Sequence, residues 1–166
     1  MCGIAGFISK TKFLEQDALN ILKDISSTLI HRGPDDYDAL YLTNHSVGLC
    51  HRRLSIQDLS KHGRQPMLSR CKRYLIVFNG EIYNHIELRK EMSQVSFRGT
   101  SDTETLINYI SIFGIDRTLE RIKGQFAFAV LDQIDGKLSL VRDRAGEKPL
   151  YYYSNSKVLI FSSELK

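Results

Sequence analysis

The chain has 166 residues, of which 42% are hydrophobic and 25% charged, a balance that fits one globular domain with a full core and argues against a disordered chain. Its 23 basic and 19 acidic residues leave a net charge of +4 and are interspersed, which speaks against a polybasic arm for nucleic acid or a membrane. Three cysteines without a C-x-x-C pair and five histidines without ligand spacing speak against a disulfide framework and a structural zinc.

The opening "MCGIAGFIS" places a cysteine second, ahead of a strand pattern over Gly3–Ser9. Removal of Met1 leaves Cys2 with a thiol and a free α-amine on one residue, a nucleophile beside a base. From Glu15 to Ile30, Ala18, Ile21, Leu22, Ile25 and Leu29 recur at helical spacing until Gly33-Pro34, so a helix is expected there to cover a sheet. "YDALYLT" and "SVGLCHRRLSI" read as paired strands that turn near Thr43-Asn44. "RYLIVF", "QFAFAVLD", "KLSLVRD", "PLYYYS" and "KVLIFSS" supply further strands, with Asp135-Gly136 as a hairpin signal.

Asn79-Gly80 is also a hairpin signal, but Asn84 and Glu87 resemble an N-cap pair, followed by Leu88, Met92 and Val95 at helical spacing. That predicts strand, turn, helix, with Asn79 and Gly80 at the strand's exit. A helix opens at the Ser101–Glu104 capping box, buries Leu106, Ile107, Ile110 and Phe113, and stops at Gly114. Asp102 in its first turn reads, on its own, as an acid favoured by the helix dipole. The apolar run "FAFAVL" predicts a strand covered on both faces, and successive hairpins predict antiparallel sheets packed inside helices, an α+β fold.

"MCGIAGF", "HRGPDD", "HRRLSIQDL", "GRQPM", "FNGEIYNHIELR", "TSDTETLI", "GQFAFAVLD" and "RDRAGEKPLYYY" resemble, in this order, the glutaminase domain of asparagine synthetase-type amidotransferases. The motifs span nearly all 166 residues. Other class II glutaminases share the leading Cys-Gly-Ile but look less like "RLSIQDL" and "NGEIYNH". The resemblance implies an N-terminal nucleophile hydrolase fold, a four-layer helix, sheet, sheet, helix sandwich. It implies that Met1 is lost and that Cys2 attacks the side-chain amide of glutamine, releasing ammonia and then glutamate. Asn79 and Gly80 match the oxyanion donors, Arg53 the carboxylate ligand, and Asp102 with Glu81 the ammonium ligands. Leu54 and Ile56 fall in the same substrate-binding segment.

"HRGPDD" is expected either to close the pocket or to serve as a plain turn. Ala145 and Glu147 depart from the common form of their motif, in a loop that faces the partner domain in homologues. Cys50 is expected to be buried and Cys71 exposed. The resemblance also implies a partner, a synthetase domain or subunit that receives the ammonia. No cofactor is expected in this chain, with ATP and magnesium assigned to a separate synthetase domain beyond "FSSELK". No metal, nucleic acid or membrane is expected, and the oligomeric state stays open, a homodimer included. The absence of an export signal leads to a cytoplasmic expectation and removes meaning from the formal acceptor "NHS" at Asn44. A glutamine- or partner-binding module without chemistry is the alternative to an enzyme.

Overall fold

A computed structural model describes residues 1–55 and 60–165. The chain runs β1 (Gly3–Ser9), α1 (Glu15–Ser27), β2 (Asp36–Leu42), β3 (Val47–Arg53), β4 (Met67–Leu68), β5 (Tyr74–Ile82), α2 (His85–Lys90), α3 (Asp102–Phe113), α4 (Ile115–Arg121), β6 (Gly124–Asp132), β7 (Lys137–Arg142), β8 (Tyr151–Ser154) and β9 (Val158–Ser162). Two antiparallel sheets form, one ordered β2-β3-β1-β9-β8 and the other β4-β5-β6-β7.

Alternation along the two central strands builds the layers. Leu75, Val77, Ala127, Ala129 and Leu131 face inward and meet Ile4, Val47, Leu49 and Phe161 of the other sheet. Ile76, Phe78, Phe128 and Val130 face the opposite way, onto Leu88 of α2 and Leu106, Ile107 and Ile110 of α3. On the far side, Ala18 and Leu22 of α1 pack with Ala5, Phe7, Tyr41 and Cys50. The order is therefore helix, sheet, sheet, helix, the expected α+β sandwich, and β6 is covered on both faces. β1, whose N-terminal end carries Cys2, is central in its sheet, between β3 and β9.

Several local expectations are corrected. Asn79 and Gly80 lie within β5, which continues to Ile82, because their pairing with Ala127 and Phe126 extends the ladder. Asn84 does not cap α2; its side chain joins the Arg121 carbonyl (2.9 Å) and the Lys123 N–H (2.9 Å). Met92 and Val95 fall beyond that short helix yet still pack in its core. The capping box is half formed. Ser101 accepts from Glu104 N–H, whereas the Glu104 carboxylate turns away to the Arg98 and Gly99 N–H groups. Helix α3 is buried from Asp102 to Ile110 on every face. Helix α4 and the two-residue β4 are additions, and α1 ends at Ser27 rather than Ile30.

Phe128 is fully buried at the centre of β6. Phe128→Ala is expected to cost about 3–5 kcal/mol of unfolding free energy in urea titrations.

Candidate active site

Cys2 stands at the mouth of a cleft of about 220 Å³ lined by Arg53, Gln65, Asn79, Gly80, Asp102 and Lys148, among others. Its backbone and side chain are each held. The Cys2 carbonyl accepts from Arg32 Nε at 3.0 Å, while Arg32 Nη1 is fixed by Glu164 at 3.0 Å. The sulfur lies 3.4 Å from the Leu54 N–H, which donates to it, and 3.7 Å from the Leu54 carbonyl. Burial pushes the Cys2 thiol pKa up, opposed by the Leu54 hydrogen bond, the N-terminal ammonium and the Arg53 guanidinium.

The opposite wall is the edge of β5. Strand β4 pairs with Leu75 and Ile76, and among the described residues no strand covers the edge beyond them on that side. In the β5–β6 register, Phe78, Gly80 and Ile82 have their N–H groups directed at this open edge, since the alternate residues bond to β6. Phe78 N–H is taken by Gln65 Oε1 at 2.6 Å and Ile82 N–H by Asp102 Oδ2 at 2.9 Å. Gly80 N–H lies between them. A Cβ on Gly80 would approach the Gln125 carbonyl to 2.3 Å, so only glycine allows β5 and β6 to lie this close here. Asn79 is buried, and its Nδ2 has no hydrogen-bond partner among the described residues. A buried donor without an acceptor is costly, which marks it as waiting for one.

Charge of both signs frames the cleft. Arg53 is buried and donates to the Ser60 carbonyl at 3.2 Å. Asp102 is buried at the start of α3, and burial raises its pKa to about 6 against the pull of the Ile82 and Thr103 hydrogen bonds. His51, fully enclosed, is lowered to about 4 by burial and is neutral; its Nε2–H donates to the Phe78 carbonyl at 3.2 Å. Glu81 is exposed at the rim.

The sequence matches the family described as a glutamine amidotransferase domain over residues 1–166. The chain belongs to that family. It is 40% identical to asparagine synthetase [glutamine-hydrolyzing] 2 of Bacillus subtilis, over all of this chain and 22% of the relative. It is 35% identical to amidase chry2 of Gibberella zeae, over all of this chain and 26% of the relative. A solved glutamine phosphoribosylpyrophosphate amidotransferase from B. subtilis, complexed with ADP and GMP, superposes with a TM-score of 0.72 at 18% identity, covering 98% of this chain and 42% of that one, and shares the fold. This amidotransferase domain thus spans about a quarter of the length of the two curated relatives.

Of the residues expected from sequence, Cys2, Arg53, Leu54, Asn79, Gly80, Glu81 and Asp102 come together in one cleft. Ile56 lies outside the described residues. "HRGPDD" does not line the cleft; Arg32 instead ties the Cys2 carbonyl to Glu164, and Gly33 packs on the Arg52–Arg53 backbone. His51, Gln65, Thr103 and Lys148 also line the amidotransferase cleft, without having been singled out from sequence. Gln65 lies in a motif that carries the resemblance, but nothing in a single sequence shows that its amide reaches β5. Cys50 is buried, its thiol pushed up to about 12, and Cys71 is exposed. Among the described residues, no helix is long and apolar enough to cross a membrane and no cluster of three or more His, Cys, Asp or Glu could hold a metal.

The raised Asp102 pKa has a sign that can be tested. Above pH 6 the folded carboxylate is ionised in a buried place, so this group lowers stability relative to acid conditions. Asp102→Asn, which keeps an acceptor for Ile82 N–H, is expected to stabilise the fold by roughly 1–3 kcal/mol at pH 8. Denaturation across pH should show that gain fading as pH falls through about 6 toward the ordinary carboxylate range.

Proposed function

We propose that the domain hydrolyses glutamine to glutamate and ammonia, with Cys2 as nucleophile once Met1 has been removed. The observation that carries this reading is the buried, unpartnered Asn79 Nδ2 beside the Gly80 N–H, on the wall of the cleft that holds the Cys2 sulfur. Two fixed donors near a thiol suit an oxyanion formed when that thiol adds to a carbonyl.

The freed α-amine of Cys2 takes the thiol proton, and the sulfur attacks the amide carbon of glutamine. The carbonyl electrons move to oxygen, which Asn79 Nδ2 and Gly80 N–H stabilise. Collapse breaks the C–N bond, the amine returns the proton to the nitrogen, and ammonia leaves. Water then hydrolyses the thioester and regenerates the thiol. While Met1 remains, the Cys2 nitrogen is an amide and cannot act as the base. Arg53 suits the α-carboxylate through its planar fork, and Asp102 suits the α-ammonium, with Glu81 adding negative charge at the rim. Leu54 holds the sulfur, and Ile56 belongs to the same substrate-binding segment.

The relatives' names and their greater length support a synthetase domain as the receiver of the ammonia, asparagine being the product we favour. Cofactor chemistry with ATP and magnesium is assigned to that domain and not to this one. A nucleophilic thiol works only while reduced, and the free thiols of Cys2, Cys50 and Cys71 support a cytoplasmic setting.

Mass spectrometry of the N-terminus together with glutamate release by wild type and Cys2→Ala tests the proposal. Processed wild type is expected to release glutamate and the variant to bind glutamine without turnover; equal release by both would overturn the assignment. In the same assay Asn79→Ala is expected to lower kcat by about 10²–10³ with little change in KM. Arg53→Lys is expected to raise KM about tenfold, since an ammonium cannot reproduce a bidentate contact.

A further inference from the structure

The β5 segment that presents Asn79 and Gly80 is held from the side by a closed run of hydrogen bonds. Phe78 N–H donates to Gln65 Oε1, which fixes the orientation of that amide. Gln65 Nε2 then faces away from the strand and donates to Thr103 Oγ1 at 3.3 Å. With Gln65 on its lone pair, the Thr103 hydroxyl turns its proton to Asp102 Oδ1, 3.5 Å away. The second Asp102 oxygen accepts from Ile82 N–H, and β5 itself closes the circuit from Ile82 back to Phe78. His51 holds the carbonyl of the same Phe78. Gln65, Thr103, Asp102 and His51 are all at most 6% exposed, so these bonds are largely shielded from bulk water.

We propose that Gln65 and Thr103 are positioning residues that couple recognition of the substrate's α-ammonium at Asp102 to the alignment of the Gly80 edge, so that the ammonium is read in the chemical step and not only in binding. This rests on the glutaminase reading above. The longest link of the circuit, Thr103 to Asp102, is the one next to the carboxylate that the substrate engages, and it is the one with slack to tighten. A cation at Asp102 fixes that carboxylate, and chains of hydrogen bonds polarise and reinforce one another in a dry site. The two N–H groups that flank Gly80 are tied to the two ends of this chain, Ile82 directly to Asp102 and Phe78 through Gln65 and Thr103. Docking of the ammonium therefore stiffens the strand on both sides of the donor that meets the oxyanion.

The test compares glutamine with glutaramate, which keeps the amide and the carboxylate and lacks the α-amino group, by ammonia release from the protein freed of Met1. For wild type, kcat is expected to fall at least about tenfold with glutaramate, beyond any change in KM. In Thr103→Val, which keeps the shape and loses the hydroxyl, the two kcat values are expected to agree within about threefold, through loss of rate on glutamine. Thr103→Ser should restore the wild-type ratio. Gln65→Met breaks the circuit at its other joint and should likewise collapse the ratio, while lowering kcat for both substrates. A residue with only a structural role would shift stability and leave the ratio untouched. Equal kcat for the two substrates in wild type, or a wild-type ratio in folded Thr103→Val or Gln65→Met, would overturn the coupling while leaving the glutaminase reading intact. Absence of Cys2-dependent ammonia release from processed wild type would overturn both.

Discussion

The site depends on an unfinished sheet edge. Strand β5 is paired with β6 along its whole length, but β4 covers it on the other side only at Leu75 and Ile76. Each later residue that faces this edge has a backbone N–H needing an acceptor, and a buried one left alone costs about 1–3 kcal/mol. The protein answers with side chains rather than another strand, Gln65 at Phe78 and Asp102 at Ile82. Gly80 stands between them, at a position where the close approach of β6 forbids a Cβ. A longer β4 would complete the sheet and erase the site.

The same economy governs the charges. Asp102 is kept in a buried place that raises its pKa to about 6, although an asparagine would satisfy Ile82 equally well. A carboxylate placed where it is desolvated destabilises the fold and gains only when a cation arrives, which fits a group kept for binding. His51, equally enclosed, is handled in the opposite way. Its burial keeps the imidazole neutral, so it contributes a hydrogen bond to the Phe78 carbonyl without adding a charge beside Arg53. The cleft therefore contains the charges a zwitterionic amino acid needs, and its deepest titratable ring is uncharged.

Layering was legible in the sequence because the unbroken apolar run "FAFAVL" leaves β6 no exposed face. The hairpin strands were legible from short apolar runs and, between β6 and β7, from the turn signal Asp135-Gly136. What failed were features decided by long-range contacts. Asn84 looked like a cap, but the carbonyl of Arg121 and the N–H of Lys123, far along the chain, draw its amide away. Helix α4 has only Ile115 and Leu119 as apolar anchors, with Ile122 just past its end, too few turns for periodicity to stand out beside the stop at Gly114. At the site, Cys2 stood out by its place in the chain and the family resemblance pointed to Asn79, Gly80 and Asp102, whereas Gln65 and His51 act through backbone atoms of β5 that no side-chain pattern reveals.

A nucleophile proposed at the end of the chain meets a mechanical difficulty, since chain ends fray unless they are tied down. Here the ties are independent of Met1. Ile4 N–H donates to Ser163 Oγ and the Ser163 N–H returns to the Ile4 carbonyl, Arg32 grips the Cys2 carbonyl, and Leu54 meets the sulfur. Met1 itself is exposed, and its sulfur lies 3.5 Å from Lys148 Nζ, on the loop organised by Asp143 through the N–H groups of Phe126, Glu147 and Lys148. Cleavage of the Met1 peptide bond thus removes one peripheral contact and leaves every restraint on Cys2 in place. The central strand β1, clasped by β3 and β9, brings the end of the chain to the cleft as firmly as an internal loop could, and an amine set free there by loss of Met1 would be held beside its own thiol.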